Sequence, residues 1–330
     1  MKKILITGGT GFIGLHLVEA LTRKGFACRC LVRDNSKIAH LEKFNPEFVY
    51  GDITDKSSIR GIAEGVETVY HLAALGHVSA ISDEAYDNFV RVNVGGTANL
   101  IEECRKHAVD RFIHFSSTAA MGLIKSADPV DERTVCQPST PYQKSKLESE
   151  RVVLSLCRDG LQGIVLRPCM VYGPGGGGEF LKLCKLIKKG IFPKVGKGKN
   201  LTPMVHVKDL VQGAIQAGMV GNGGNVYLVT SPLSIEMEEL RRSVLLSLGI
   251  KRPAIYIPIW MGKCAAVCFE SAARLTGTTP IMTYKNMESL ITNRVFSIDK
   301  AKRELGYAPC IPFDEGISST LAWYVGQGLI

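Results

Sequence analysis

Long apolar segments are missing from this sequence. No run approaches the ~18 consecutive apolar residues needed to span a bilayer, and the most apolar stretch, residues 253–269, is interrupted by Pro258, Gly262 and Lys263. The amino terminus passes directly into a strand pattern, without the apolar core and small-residue cleavage site of a signal peptide. These absences argue against an integral membrane or secreted protein, and we expect a cytoplasmic location.

The ten cysteines lack the spacing of a metal or redox site. Only Cys28/Cys30 and Cys264/Cys268 lie close together, and neither pair has zinc-finger or Cys-x-x-Cys spacing. Free cysteine is by default a small buried apolar residue, and so many thiols indicate a reducing compartment. We therefore predict no bound metal.

Acidic residues are absent between Glu179 and Asp209, although the net charge of the whole chain is only +9. A solvated helix face accounts for the first lysines of this segment, since apolar residues line the other side of the same helix. An anionic substrate tail or a membrane surface is the alternative. We expect no nucleic acid partner, and we keep peripheral membrane contact open without expecting it. The lysines are Lys182, Lys185, Lys188, Lys189, Lys194, Lys197, Lys199 and Lys208.

A glycine-rich turn joins the first predicted strand to the first predicted helix. Gly8 allows a tight turn, Gly11 lets the backbone approach phosphates, and Gly14 lets the helix pack closely on the strand. The helix amino terminus supplies free N–H groups and a partial positive charge, which suit a pyrophosphate. The predicted cofactor-binding residues of this turn are Gly8, Thr10, Gly11, Phe12, Ile13 and Gly14.

Short apolar runs alternate with helical periodicity over the first two-thirds of the chain, which predicts a parallel sheet with crossover helices. We expect an α/β fold: a Rossmann doubly wound parallel sheet with a smaller, mostly helical C-terminal substrate domain. Residues 1–170 form the nucleotide-binding domain, to which 200–230 return, and 171–199 with 231–330 form the second domain. The predicted strands are Lys3–Thr7, Ala27–Val32, Phe48–Gly51, Thr68–Leu72, Arg111–Ser116, Gly163–Arg167 and Val226–Thr230, and the predicted helices include Phe12–Lys24 and Ser234–Leu248, with Ser234 as N-cap.

The residues after the second strand indicate which dinucleotide is bound. An NAD enzyme usually ends this strand with an acidic residue for the ribose 2′-hydroxyl, but Val32 and Arg33 stand here, with Lys37 nearby. Arginine can pair bidentately with a 2′-phosphate, whereas Asp34 could accept a 2′-hydroxyl. We predict NADP, with NAD as the alternative. Asp52, after the third strand, is placed either to meet the adenine edge or to cap a helix.

Tyr142 and Lys146 lie four residues apart, on one face of a predicted helix that begins at Thr140-Pro141. A phenol is a poor base at neutral pH, and a nearby ammonium and a nicotinamide cation would both lower its pKa. Ser117, at the end of a predicted strand, could orient a substrate oxygen. This pattern predicts a tyrosine acid/base.

Taken together, the motifs resemble the extended short-chain dehydrogenase/reductase family, also called the NAD-dependent epimerase/dehydratase family. The resemblance implies that Ser117, Tyr142 and Lys146 are catalytic. It also implies a cofactor site completed by residues beyond the glycine turn: Asp52, Ile53, Leu72, Ala73, Ala74, Asn93, Ser116, Tyr142, Lys146, Pro168 and Met170. The motifs that carry it are residues 7–14, Gly51-Asp52, His71-Leu72-Ala73-Ala74, Asn93, Ser116-Ser117, Tyr142/Lys146, Arg167-Pro168, Tyr172-Gly173-Pro174, His206 and residues 302–307.

Departures from the family's patterns narrow the expected reaction. Nucleotide-sugar 4,6-dehydratases carry an Asp-Glu pair after the catalytic hydroxyl, where this chain has Thr118 and Ala119. Sugar epimerases grip a diphosphate with an Asn and an Arg, where this chain has Met170 and, approximately, Thr202. Other segments, such as Leu31-Val32-Arg33-Asp34, resemble the branch of 3β-hydroxysteroid dehydrogenases and dihydroflavonol reductases.

We therefore expect hydride transfer between a secondary alcohol and a ketone, on a fairly apolar small-molecule substrate. The alternatives are a nucleotide-sugar 4-epimerase with retained NAD and a catalytically silent NADP-binding scaffold. A homodimer is a further expectation from the resemblance. The remaining apolar residues of the C-terminal half are expected to form substrate-domain core: Trp260, Met261, Cys264, Cys268 and Phe269.

Overall fold

A computed structural model describes residues 3–76, 83–158, 160–276, 278 and 283–330. Its main sheet contains seven parallel strands, β1 (Lys3–Thr7), β2 (Ala27–Val32), β3 (Glu47–Tyr50), β4 (Val66–His71), β5 (Arg111–Phe115), β6 (Gln162–Pro168) and β11 (Asn225–Val229). Their order is β11-β6-β5-β4-β1-β2-β3. All seven predicted strands are confirmed, each within two residues of its predicted bounds. The chain therefore has the predicted doubly wound Rossmann sheet.

Short strands form three further two-stranded pairings outside this sheet. They are β7 (Met170–Tyr172) with β10 (Met204–His206), β9 (Leu201–Thr202) with β12 (Ile235–Glu236), and β8 (Lys194–Val195) with β13 (Tyr256–Ile257). The α-helices are α1 (Phe12–Arg23), α2 (Ala39–Glu42), α3 (Asp83–Phe89), α4 (Gly96–Lys106), α5 (Pro141–Leu156), α6 (Gly178–Lys189), α7 (Val207–Val220), α8 (Met237–Ser247), α9 (Ile259–Thr276), α10 (Tyr284–Ile291), α11 (Asp299–Leu305) and α12 (Phe313–Gly326). A π-helix covers Val90–Gly95, and a 3-10 helix covers Thr118–Met121.

Alternate residues of β1 feed two apolar cores on opposite faces of the sheet, because successive strand side chains point to opposite faces. Ile4 and Ile6 pack with α1, α7 and α11, whereas Leu5 packs with α4 and α5. Strands β1 and β4 are neighbours, and the helices that follow them, α1 and α4, lie on opposite faces of the sheet. The carboxyl ends of these two strands therefore border the crevice in which such folds bind ligands.

A third core unites helices of the C-terminal region. It joins α6, α8 and α12 through buried residues that include Phe180, Val244 and Leu321. The segment 298–307, which the sequence assigned to this second domain, instead contributes Ile298 and Tyr307 to the core of the main sheet.

The predicted start of α8 at Ser234 is wrong. Ile235 and Glu236 pair antiparallel with Thr202 and Leu201, so the helix begins only at Met237. The Ser234 hydroxyl donates to the carbonyl of Arg294 at 3.0 Å, and this pairing takes the place of a helix cap. Among the described residues, no helix has the length and apolar character required to cross a bilayer.

Candidate active site

Two glycines of the turn after β1 leave no room for a side chain. Gly8 has φ +73°, and a Cβ there would lie 2.8 Å from the backbone nitrogen of Ala73 in the loop after β4. A Cβ on Gly14 would lie 2.2 Å from the carbonyl oxygen of Gly8. Both glycines are therefore required by close backbone approach, as the sequence predicts.

The amino terminus of α1 fits a pyrophosphate. Gly11 is the N-cap, and no described side chain caps the helix there. Thr10 and Gly11 are exposed, while Phe12 and Ile13 are half-buried. The first turn of a helix leaves N–H groups without intrahelical partners, and an anion can bind them. The residues at this turn therefore suit a dinucleotide, which brings two negatively charged phosphates.

A buried hydrogen-bond chain fixes the loop after β4 against this turn. The N–H of Ala73 donates to the hydroxyl of Thr7 at 3.2 Å, and that hydroxyl lies 2.7 Å from Nδ1 of His71. On the other side of the ring, Nε2 lies 2.9 Å from the hydroxyl of Thr97. This hydroxyl donates a hydrogen bond to the carbonyl of Asn93 at 2.6 Å. Thr97 can therefore only accept from the ring, so His71 carries its proton on Nε2.

Burial keeps this ring neutral, since it lowers the pKa of His71 to about 3, with the Lys146 charge acting in the same direction. The loop that it supports is partly accessible where cofactor contact is predicted. Leu72 and Ala73 are half-buried and Ala74 is exposed. The geometry keeps these three residues as candidates for cofactor contact.

The predicted adenosine residues lie at the carboxyl ends of β2 and β3. Arg33 and Lys37 are exposed. The charge of Arg33 helps to lower the pKa of Asp52, although the main cause is the N–H of Thr54, which donates to Asp52 at 2.8 Å. Asp52 therefore closes a turn, and it does not cap a helix because no helix begins directly after it. Ile53 buries its side chain against Gly96, so only its backbone could meet a nucleotide.

Helix α5 begins with a capping box that places the tyrosine in its first turn. Thr140 accepts from the N–H of Gln143, whose side chain accepts from the N–H of Thr140 in return. Tyr142 shares a side-chain hydrogen bond with Ser117. The N–H of Ala119 donates to Ser117 Oγ at 3.1 Å, so the hydroxyl proton of Ser117 is directed elsewhere. The structure therefore brings the two predicted hydroxyls together.

Lys146, one turn further along α5, is 2 % exposed and donates from Nζ to the carbonyl of Phe115 at 2.7 Å. Burial lowers the pKa of Lys146 to about 8, opposed by the negative charge of Glu150. The lowering of the Tyr142 pKa by a nicotinamide cation stays a prediction. Burial raises the pKa of this phenol, and the Ser117 hydrogen bond opposes the rise only in part.

A buried ion pair lies on the far side of Lys146 from the tyrosine. Arg167 donates from Nη2 to Glu150 at 2.6 Å and from Nε at 2.9 Å, and both side chains are almost fully buried. Ser116 donates its hydroxyl to the same carboxylate. Nearby, His114 Nε2 lies 3.0 Å from the hydroxyl of Ser149. The sequence analysis did not identify Glu150, although its spacing of four residues from Lys146 was a usable signal.

Two predicted cofactor residues have their side chains engaged within the protein. Asn93 donates both amide hydrogens, to the carbonyl of Leu75 at 3.2 Å and to the hydroxyl of Ser145 at 3.0 Å, and accepts from the N–H of Leu75 at 2.7 Å. Ser116 is committed to Glu150. Asn93 therefore joins the loop after β4 to α5, and a cofactor contact by either side chain stays a prediction.

The remaining predicted contacts lie between the sheet and the third core. Pro168 ends β6 and Met170 begins β7, where Met170 is half-buried. The glycine loop that follows covers α1, because a Cβ on Gly176 would lie 3.0 Å from the ring of Phe12. The contact between this loop and α1 was not predicted from the sequence.

The arrangement of strands, glycine turn and helix α5 agrees with comparisons with known proteins. Residues 4–229 match the model of the NAD dependent epimerase/dehydratase family. The chain belongs to this family. It is therefore an enzyme of an NAD-binding family. The relatives of the chain include a 3 beta-hydroxysteroid dehydrogenase.

Two relatives and one solved structure show the breadth of this family. The chain is 27% identical over 331 residues to a 4-hydroxy-2-methyl-3-oxo-4-farnesyl-3,4-dihydroquinoline-1-oxide ketoreductase of Stigmatella aurantiaca, covering 99% of this chain and 98% of that protein. It is 29% identical over 344 residues to a 3 beta-hydroxysteroid dehydrogenase/Delta 5-->4-isomerase of Mycobacterium tuberculosis, covering 98% and 91%. A dTDP-glucose 4,6-dehydratase of Streptomyces venezuelae, solved with NAD, is 26% identical with TM-score 0.79, covering 98% of this chain and 97% of that one.

Proposed function

We propose that this protein is an NADP(H)-dependent oxidoreductase that interconverts a secondary alcohol and a ketone on an apolar substrate. The observation that carries the proposal is the Ser117–Tyr142 hydrogen bond, with the buried ammonium of Lys146 one helical turn away. These groups lie on α5 and after β5, while the glycine turn follows β1 in the same sheet.

Each protein group has a defined task in reduction of the ketone. A bound nicotinamide supplies the hydride. Ser117 holds the carbonyl oxygen, and Tyr142 gives its phenolic proton to that oxygen as the alcohol forms. The raised phenol pKa means that Tyr142 carries its proton at neutral pH, so the acid form is present when the ketone binds. Lys146 favours the resulting phenolate, which then takes a proton from solvent.

The residues at the two positions where epimerases of this family hold a diphosphate support an apolar substrate over a sugar nucleotide. Met170 stands where epimerases of this family carry an Asn, and Thr202 is 2 % exposed, so it has little surface to offer a diphosphate. The ketoreductase and steroid dehydrogenase relatives act, by their names, on ring-bearing apolar molecules. Thr118 and Ala119 lack the acid/base pair that dehydration requires.

The exposed guanidinium of Arg33 supports NADP as cofactor. Arg33→Asp should weaken NADPH binding about tenfold to hundredfold, because a charge-assisted phosphate contact is worth ~1.5–3 kcal/mol, and it should leave NADH binding nearly unchanged. Isothermal titration with both nucleotides measures this, and Arg23→Asp on the exposed end of α1 is the matched control. Equal losses for NADPH and NADH would contradict the NADP assignment.

A substrate screen tests the reaction itself. Purified protein is incubated with NADPH and a panel of cyclic and steroidal ketones, and separately with UDP- and dTDP-sugars, while NADPH consumption and product formation are followed. We expect NADPH-dependent reduction of at least one apolar ketone. Conversion of a sugar nucleotide without net nucleotide oxidation would overturn the proposal in favour of an epimerase.

A further inference from the structure

Helix α9 exposes its apolar side chains. Trp260 is 68 % exposed, Met261 45 % and Phe269 40 %, and Cys264 and Cys268 are also exposed. The prediction that these five residues form substrate-domain core is therefore wrong. The helix packs on the protein through smaller residues instead, since its buried positions in the described part are Gly262, Ala266 and Ala273.

Two charged residues of the same helix, Lys263 and Glu270, point the opposite way. Lys263 and Glu270 are the only charged residues in the sequence between positions 257 and 272. The Lys263 ammonium lies 5.6 Å from the ring centre of Tyr284 in α10, and Glu270 accepts from the N–H of Tyr284 at 3.0 Å. A surface helix normally does the reverse, with apolar residues inward and charges in water.

The exposed apolar surface continues beyond α9. Ile255 and Tyr256, just before the helix, are 59 % and 61 % exposed, and Ile191 is 60 % exposed. Strand β13 pairs with β8, and a Cβ on Gly196, directly after β8, would lie 2.9 Å from Ile259 at the start of α9. The segment around β8 is therefore contiguous with β13 and the start of α9. We call this surface the α9 face; its members are Ile191, Ile255, Tyr256, Trp260, Met261, Val267 and Phe269.

Cations border the α9 face. Arg252 donates to the carbonyl of Lys188 at 2.7 Å, which brings the carboxyl end of α6 beside the segment that leads into β13. Lys188, Lys189, Lys251 and Arg252 are all exposed. The lysine-rich segment between Glu179 and Asp209 contains no acidic residue to neutralise this border.

We propose that the α9 face binds the surface of an anionic lipid bilayer. Exposed Trp, Tyr and aliphatic side chains suit the interfacial region, and each bordering cation gains from anionic headgroups. Lying on the surface also fits a helix that is not apolar enough to span a bilayer. A symmetric contact between two copies is disfavoured, because it would bring identical cationic borders together. This inference goes beyond the proposed chemistry and does not depend on it.

Vesicle binding tests the inference without any turnover. The chain has two tryptophans, so Trp323→Phe leaves Trp260 as the only tryptophan whose emission is followed. This protein is mixed with phosphatidylcholine vesicles, with or without phosphatidylglycerol, at low and high salt, and both co-sedimentation and emission wavelength are recorded. We expect binding to the anionic vesicles, a blue shift of Trp260 and a strong reduction by salt.

Variants assign the binding to the α9 face. In the full chain with Trp323 intact, Trp260→Ser with Phe269→Ser should weaken vesicle binding at least roughly tenfold, and Lys188→Glu with Lys189→Glu should remove the anionic preference. The matched control, Met219→Ser with Val220→Ser, removes two exposed apolar side chains from α7 and should bind as wild type.

Absence of binding, or binding that the α9 variants do not change, would overturn the inference. So would dissociation of a dimer by the same variants in analytical ultracentrifugation, which would assign the face to a second copy. Failure of the ketone screen, in contrast, would leave the vesicle result intact.

Discussion

Helices α5 and α9 both depart from the usual pattern of a surface helix, in opposite senses. Helix α5 buries polar and charged side chains, among them Lys146, Ser149 and Glu150. Helix α9 exposes apolar side chains and turns Lys263 and Glu270 toward α10. In α5 the departure is resolved inside the molecule, because each of the three buried side chains has a protein partner.

The contrast separates two reasons for an unusual pattern. Burying an unpaired charge costs several kcal/mol, so the charges buried around α5 must be paired to be stable, as Glu150 and Arg167 are. A lysine held buried beside this pair points to a catalytic use. The exposed surface of α9 finds no cover within the described chain, so it points to a partner outside it. Substitutions in the two helices should therefore have opposite consequences for activity and for partner binding.

The largest effect should come from the phenol of α5. Tyr142→Phe removes the proton donor and should lower kcat roughly 100- to 10,000-fold with little change in cofactor binding. Steady-state kinetics on the ketone found in the screen, with NADPH titration alongside, measure both quantities. Tyr256→Phe on the α9 face is the control and should keep full activity. Unchanged turnover in Tyr142→Phe would favour a silent nucleotide-binding scaffold.

Glu150→Gln should destabilise the protein and shift its pH profile. Removing the carboxylate leaves Arg167 buried without its partner, which costs ~3–5 kcal/mol. It also removes the negative charge that raises the pKa of Lys146, so this pKa should fall below its present value of about 8. Lys146 then loses its proton at lower pH, and the alkaline limb of kcat/KM should move to lower pH.

Chemical denaturation and a pH series of kcat/KM measure the two effects. Glu148→Gln is the matched control, since this carboxylate lies on the same helix but accepts from Tyr86 at 3.0 Å. If Glu150→Gln does not fold, Ser116→Ala removes one donor to the same carboxylate and should shift the limb less. A limb that stays in place in a folded variant would contradict the role of Glu150.

The histidines beneath α5 should make stability fall in mild acid. Burial lowers the pKa of His71 to about 3 and holds that of His114 well below 6.5. Below pH 6.5 the unfolded chain therefore binds protons that the folded chain does not, and each such histidine costs roughly 1.4 kcal/mol per pH unit. His114→Leu should reduce the stability difference between pH 7 and pH 5 by ~1–2 kcal/mol.

Urea unfolding at both pH values checks this, with His40→Leu as the exposed control. Nδ1 of His114 is buried without a partner in the described structure, so leucine should be tolerated there. An unchanged difference between the two pH values would show that His114 titrates normally.

The smallest effect on stability should come from α9. Trp260→Ser with Phe269→Ser should change the free energy of unfolding by no more than about 0.5 kcal/mol per site, because both side chains are already in contact with solvent. Phe180→Ala, in the buried core of α6, should cost ~3–5 kcal/mol. Thermal unfolding in the absence of lipid compares them. A large loss in the α9 variant would mean that these side chains pack within the protein after all.

Much of the fold followed from local signals. The glycine turn, the strands of the main sheet and the start of α5 were predictable because glycine geometry, apolar runs and the Thr140-Pro141 cap act within a few residues. The start of α8 was not, since Ile235 and Glu236 pair with β9, a segment distant in the sequence. The exposure of α9 was missed because an apolar sequence does not reveal which of its faces meets the protein.

The same division applies to the site. Tyr142 and Lys146 were predicted from spacing and Ser117 from its place at the end of a strand, whereas the support of Lys146 by Glu150 and Arg167 depends on β6 lying beside α5 in three dimensions. The sequence also did not reveal that burial raises the pKa of Tyr142 in the protein itself. Burial of a side chain is a property of the fold, and spacing alone cannot supply it.

The nucleotide carried by the purified protein tests the central claim most directly. The protein is denatured, and the released nucleotide is identified and quantified by mass spectrometry; the native protein is then titrated with NADPH and NADH. A reductase that exchanges its cofactor should release far less than one nucleotide per chain and should bind NADPH reversibly and more tightly than NADH. One tightly held NAD per chain would contradict this account, because an epimerase must keep its cofactor through a closed redox cycle.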